Sequence, residues 1–448
     1  MPIALRFRPP NPWRGLRGLP ADVWIVFVTS LVNRAGMMAL PFLVLYLTEY
    51  LHVSPRIAGL AISAYGIGGM IAAPFAGRLS DRIGAFTVMR SSLVLTGVVL
   101  LVIPLSHSFA VVGALTFAWG FVADSMRPAA MSALTNATPP ERRKAAIALN
   151  RLAVNLGMSV GPAIGGFLAL VSFPLLFVVD GATSLLAALV LSLLLAARKG
   201  ERSLPRGERS VAEAIHQPPR EEHPGSVWRD RRAMALLLGL FLVSVVFMQN
   251  EGALPLYIVR DLHHRASIVG FVFVINTLLI VATEVPLNLA MQHWPHRRAL
   301  VLGALLTAVG FGAFGLATST LAIALTVVLW TIGEMITFPV GGAQMADLAP
   351  PGRSGEYMGA YSSTFSLAMV IGPWAGTAAL DRFGGPVTWT GVFACGLIAA
   401  AVIGATGERR PRRPNSADFA SGVGGAHNPT SQPEAHMSAV INHPLVST

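Results

Sequence analysis

Cysteine is all but missing from this chain. Cys395 is the single one among 448 residues, which excludes an intrachain disulfide framework and any cysteine-built metal site. Charge is scarce as well: 12% of residues are Asp, Glu, Lys or Arg, against roughly 25% in soluble domains. A charged shell around a soluble core of this size cannot be assembled from that supply. Acids are the scarcer sign, 22 against 33 Lys and Arg, for a net charge of +11. On a soluble domain that excess would suggest nucleic acid. Here it sits between apolar runs, so no nucleic-acid partner is expected. Also missing are a phosphate-binding glycine loop with Lys-Ser/Thr, a paired-histidine zinc motif and a nucleophile elbow. Adjacent His263 and His264 have the wrong spacing for two ligands on one helix face. The chain is not expected to be an enzyme, to run on ATP, or to hold a metal or cofactor.

Apolar residues dominate instead, at 53% with a mean hydropathy of +0.60. Stretches of about 20 apolar residues can cross a hydrocarbon core. They begin near Ala21, Arg56, Phe86, Phe109, Arg143, Phe173, Ala233, Ser267, Arg298, Thr320, Gly355 and Val387. Twelve helical spans are thus expected, and their many Gly and Pro residues are tolerated where neighbouring helices satisfy the freed backbone groups. The run from Trp24 to Leu47 follows Arg6, Arg8, Arg14 and Arg17. It is longer than a signal-peptide core and lacks a small-residue cleavage site, so it is expected to stay in the mature protein.

Basic residues collect in alternate connections: Arg78 to Arg82, Arg142 to Lys144, Arg198 to Arg232, Arg297-Arg298, Arg353, and Arg409 to Arg413. Positive loops are retained in the cytoplasm, which predicts that both termini are cytoplasmic. The expected organisation is a six-helix bundle over 1–197, a mobile linker over 198–232, a second six-helix bundle over 233–407 and a disordered tail over 408–448.

The halves repeat. Pro139-Pro140 and Arg142 recur as Pro350-Pro351 and Arg353, 211 positions on. The same offset takes Gly161-Pro162 and Gly165 to Gly372-Pro373 and Gly376, Pro128 to Pro339, and Tyr46, His52 and Gly59 to Tyr257, His263 and Gly270. An offset shared by loops and helices implies duplication. Paired bundles of this kind form a recurring transporter plan with a site between the halves.

After the second span comes Gly77-Arg78-Leu79-Ser80-Asp81-Arg82-Ile83-Gly84. Its glycine, Asp-Arg pair and second glycine resemble the loop signature of the major facilitator superfamily. The basic pair that usually follows is replaced by Ala85 and Phe86, with Arg90 further on. The resemblance implies that Asp81 latches the cytoplasmic mouth in the outward-open state, with Arg82 beside it and Arg127 as the nearest candidate partner. A solvated turn that merely obeys the orientation rule is the plainer reading. On the fifth span, Gly157, Gly161, Pro162, Gly165 and Gly166 resemble the motif of the drug:proton antiporter branch. Glycines four apart also simply let helices approach.

Ionisable side chains within a bilayer are costly, so each is a functional candidate. They are Arg34, Asp124, Asp180, Glu251, Glu284 and Glu334. A proton-driven carrier needs a carboxylate that takes up a proton on one side and releases it on the other. Glu334, mid-span with no basic residue at helical spacing, is the first candidate, and Glu251 and Glu284 follow. Arg34 needs one of these glutamates as its partner, and Asp124 is a further member of the set. Asp180 is expected to brace helix packing. Asn150, Asn155, Asn276 and Gln344 could hydrogen-bond a substrate or join helices. The expected function is proton-coupled efflux of drug-like or amphipathic compounds by a monomer in a bacterial cytoplasmic membrane. Its partners would be a small-molecule substrate, protons and lipid. The alternative is a proton-coupled importer of peptides or metabolites.

Overall fold

The structure is a computed structural model that describes residues 18–139, 142–201, 226–291, 293–350 and 353–406. Its membrane-crossing elements are α1 Ala21–Tyr50, α2 Pro55–Ile83, α3 Ala85–Leu105 and α4 Phe109–Ala137. They continue with α5 Arg143–Val171, α6 Phe173–Glu201, α7 Arg231–Asp261, α8 Ala266–Met291, α9 His296–Leu316 and α10 Thr320–Leu348. The last helical stretch, Ser354–Ala405, has 52 residues and a non-helical Gly384 at φ 74°. A straight helix of that length would measure about 78 Å, more than twice a hydrocarbon core. It is therefore two spans, α11 over 354–383 and α12 over 385–405, and the total is twelve. Gly84 at φ 89° makes the equally tight α2–α3 connection. Both positions need a backbone that a Cβ disfavours.

Large apolar side chains stay open on the outer surface, among them Leu321 at 71% and Val285 at 66% exposure. A water-soluble shell would not tolerate that many, whereas lipid does. Prolines 74, 162, 286, 339, 373 and 386 all lie inside helices.

The duplication reappears as repeated geometry. Gly59 on α2 lies against Pro373, Trp374 and Thr377 of α11, while Gly270 on α8 lies against Pro162, Ala163 and Gly166 of α5. Those two contact sets are the same set shifted by 211. Gly161 meets Arg34 and Met37, and Gly372 meets Val245 and Met248, again at that offset. Both His52 and His263 take positive φ, 53° and 55°, each after a stretch of π-helix. The α2–α11 and α5–α8 seams are thus related by a two-fold arrangement of the halves.

The face carrying the α2–α3, α4–α5, α8–α9 and α10–α11 connections is the basic face. Toward the opposite face the seams are closed by the glycine contacts. Toward the basic face they part. On α2, Ala72, Ala76 and Ser80 alone stay buried beyond Gly69, a single stripe. On α8, nothing beyond Thr277 is buried. A Cβ placed on Gly77, Gly355 or Gly359 would meet nothing within 4 Å. A cleft therefore opens between the halves on the basic side.

The ends of the expected 198–232 linker are structured. Residues 198–201 extend α6, and Arg198 pairs with Asp22 of α1. Near α7, the Ser226 hydroxyl and the Val227 N–H donate to the Glu356 carboxylate at 3.0 and 2.9 Å. Asp230 caps α7 by accepting from the backbone of Arg232 and Ala233. The centre of the expected linker and the tail over 408–448 lie outside the described residues.

Candidate functional site

Two helices break at corresponding depths. In α1 the α-helix stops at Gly36, and in α7 it gives way to a single 3-10 turn, Met248–Glu251. Broken spans expose backbone groups that only a protein-lined or wet interior can satisfy, and in transporters such breaks mark the binding level.

At the α1 break the freed N–H groups of Met38 and Ala39 both donate to Asp180, at 3.1 Å each. Asp180 is 3% exposed, so this carboxylate holds the break in place, as the expected bracing role requires. Arg34, one turn earlier, lines an interior cavity with Asn33, Tyr65, Trp119, Asp124 and Asp180. Its guanidinium contacts the Met37 sulfur at 2.8 Å. Asp124 and Asp180 are its nearby acids, rather than Glu251 or Glu284, and no direct ion pair joins them among the described residues. Asp124 itself lies against Gly69 of α2, where any side chain would displace it.

In the second half, the Asn276 side-chain amide on α8 donates to Glu334 of α10 at 2.8 Å and reaches the Thr331 hydroxyl at 3.1 Å. That uses Asn276 to position the acid. Glu251 sits at the α7 break, with one carboxylate oxygen buried and unpaired among the described residues. Beside it, Gln249 donates to the carbonyls of Val245 and Gly372 at 2.9 and 3.0 Å, tying α7 to α11.

One candidate residue escaped the sequence reading. Arg151 on α5 forms an ion pair with Glu284 on α8, which joins the two halves across the cleft. Its side chain is 59% exposed against 13% for Glu284, so the arginine reaches out of one half into a niche of the other. Both residues lie within electrostatic reach of Glu334. The available signal was an arginine two turns inside an apolar span, next to Asn150, which accepts from Ser30 at 2.9 Å.

The loop motif is spread along the basic end of α2. Asp81, Arg82 and Gly84 are exposed, and the expected Asp81–Arg127 pair is not formed among the described residues. Arg127 is instead close to Asp124, one turn away on α4. The physical reason is local: Arg127 has a nearer carboxylate, Asp124, on its own helix, and Asp81 stays in the open at the end of α2. The α5 glycines do close approach work. Gly157 and Gly161 admit α1, Gly165 admits Met38 and Phe42, and Gly166 admits Ser267 and Gly270 of α8. Asn155 and Gln344 remain half-buried, and Gln344 keeps an unpaired buried oxygen among the described residues.

Comparison with known proteins agrees with this architecture. The sequence profile of the Major Facilitator Superfamily matches residues 25–258 and 236–446. The uncharacterized MFS-type transporter YqjV of Bacillus subtilis (strain 168) is 26% identical over 369 residues, 81% of this chain and 87% of YqjV. The multi-drug resistance efflux pump PmrA homolog of Lactococcus lactis subsp. lactis (strain IL1403) is 32% identical over 157 residues, 34% of this chain and 37% of that protein. A solved variant of the peptide transporter POT shares the fold with a TM-score of 0.73 at 16% identity, over 86% of this chain and 94% of that one. Profile, relatives and twelve-span geometry agree that this chain belongs to the Major Facilitator Superfamily and is a multi-pass membrane transporter, not an enzyme.

Proposed function

We propose that this transporter exports amphipathic or cationic small molecules in exchange for protons across the cytoplasmic membrane of a bacterium. In this reading the basic face and both termini are cytoplasmic, so the cleft is inward-facing. The halves over 1–197 and 233–407 rock about the α2–α11 and α5–α8 seams.

One observation carries the coupling. Glu251, Glu284 and Glu334 all belong to the second half, while Arg151, the cation that pairs Glu284 and faces Glu334, rides on the first. Rocking must change their separation. An acid that loses its cation in a poorly solvated site is stabilised by a proton, so proton binding and conformation become linked. Asn276 holds Glu334 toward the interior, where a cationic substrate and a proton would compete for the same carboxylate. Asp124, Arg34 and Tyr65 line a polar cavity inside the first half, and Asp81 with Arg82 would latch the cytoplasmic mouth when it closes. The export direction draws on the efflux-pump relative and on the fifth-span glycine motif. The peptide-transporter likeness concerns the fold alone.

The test is ethidium transport in proteoliposomes with an imposed pH gradient. Wild-type protein is expected to move ethidium against its gradient, and Glu334→Gln to abolish that movement while leaving the protein folded. Undiminished gradient-driven flux in Glu334→Gln would remove this acid from the coupling. Uptake of labelled dipeptide with no ethidium movement would favour the importer.

A further inference from the structure

At the basic face α3 and α6 leave a groove between them, walled by Phe86 and Leu195 and carrying Thr87, Ser192, Arg90 and Arg198. Arg198 is matched by Asp22 of α1. Arg90 is exposed and has no ion pair or hydrogen bond among the described residues, so the groove carries uncompensated positive charge. A guanidinium at the margin of the hydrocarbon, without a protein partner, calls for an anion. Ser192 already donates its hydroxyl to the Ala188 carbonyl at 2.8 Å, which leaves Thr87 as the spare hydroxyl donor.

The groove continues along the outside of the bundle. Further from the basic face, Val98 on α3 and Leu189 and Leu193 on α6 are about half exposed, between 48% and 59%. A free phosphate would have no use for that wall. A phospholipid would: its headgroup would lie at the arginines and its chains along the leucines and valine. Basic pockets between membrane helices on the positive side are suited to such headgroups.

We propose that this groove is a binding site for an anionic glycerophospholipid, with Arg90 as the principal phosphate ligand, Thr87 as a second donor and the α3–α6 outer faces as the acyl track. The site lies outside the transport cleft and does not depend on the substrate or the coupling ion.

Full-length protein, delipidated in detergent, is titrated with dioleoylphosphatidylglycerol, dioleoylphosphatidylcholine and glycerol-1-phosphate. Occupancy is read by native mass spectrometry and by thermal shift. Phosphatidylglycerol is expected to bind at least about fivefold tighter than phosphatidylcholine, one uncompensated charge being worth about that factor near a membrane surface. Glycerol-1-phosphate is expected not to compete. Arg90→Gln should lose about fivefold in phosphatidylglycerol affinity, and Arg90→Lys should keep most of it. Arg90 is exposed and holds nothing in the fold, so its substitution leaves an intact protein to measure, whereas replacing Arg198 would strip Asp22 of its partner. Equal affinity of wild type and Arg90→Gln, equal binding of the two lipids, or no phosphatidylglycerol bound by wild type would overturn the proposal. The last outcome is the one expected if the acidic side chains between residues 201 and 225 fill the groove.

Discussion

At the scale of single residues, the polar side chains within the spans divide into those that hold the fold and those free to work. Asp180 belongs to the first kind, because among the described residues the N–H groups of Met38 and Ala39 have no partner besides its carboxylate at the break in α1. Asp180→Leu would bury two unsatisfied donors and is expected to destabilise the protein by about 2 to 4 kcal/mol. Asp180→Asn keeps an acceptor and is expected to cost about 1 kcal/mol. Denaturation in detergent, followed by tryptophan fluorescence, separates the two. Asn276 is of the second kind. Asn276→Leu removes the donor that orients Glu334, and gradient-driven transport is expected to fall at least about tenfold while the melting temperature moves little, since the site is only half-buried. The candidate acids were legible in the sequence because a carboxylate in an apolar run is rare and expensive. Their partners were not. Arg34 was expected to need a glutamate but lies among Asp124 and Asp180, and Arg151 was passed over although it spans the two halves. Partner choice depends on which helix faces which, and one-dimensional spacing does not contain that.

At the scale of elements, the glycines explain how broken and bent helices pack so closely. Gly59 and Gly270 sit at the two seams and touch the backbone of the facing helix, so no side chain fits. Gly270→Leu is expected to cost about 1 to 3 kcal/mol by overpacking and to weaken the seal on the face opposite the basic one. A cysteine introduced at Ser267, with Cys395 replaced by serine, should then react faster with a membrane-impermeant maleimide added from that side. Unchanged labelling would show that the seal does not rest on this contact. The element boundaries were largely readable, since helix starts fall within a few residues of the apolar runs. The α11–α12 boundary hinges on one glycine at positive φ within 52 otherwise helical residues, and there the change of direction, not the hydropathy, separates the spans.

At the scale of the whole molecule, the halves touch along two seams and part toward the basic face, so this conformation presents its cleft on that side alone. Asp81 is exposed here, and the latch proposed for it belongs to the alternate conformation. Asp81→Asn should remove stabilisation from that other state only. A loss of about 1 to 2 kcal/mol there would shift the equilibrium toward the present conformation by about five- to thirtyfold. Spin labels at Leu79 on α2 and Ser363 on α11 would read this by double electron–electron resonance as growth of the longer-distance population. No change in the distance distribution would place Asp81 in a plain solvated turn.

The sequence by itself determined the solvent, the number of crossings and the duplication, because transfer to lipid and a fixed offset are properties of residues taken in order. Only the tertiary structure decided which seams close, that Asp180 secures the break in α1, and that the cation facing the second half's acids comes from the first. Those depend on contacts between helices far apart in the chain. Their geometry is set by backbone approach at Gly59, Gly166 and Gly270, which no count of apolar residues specifies.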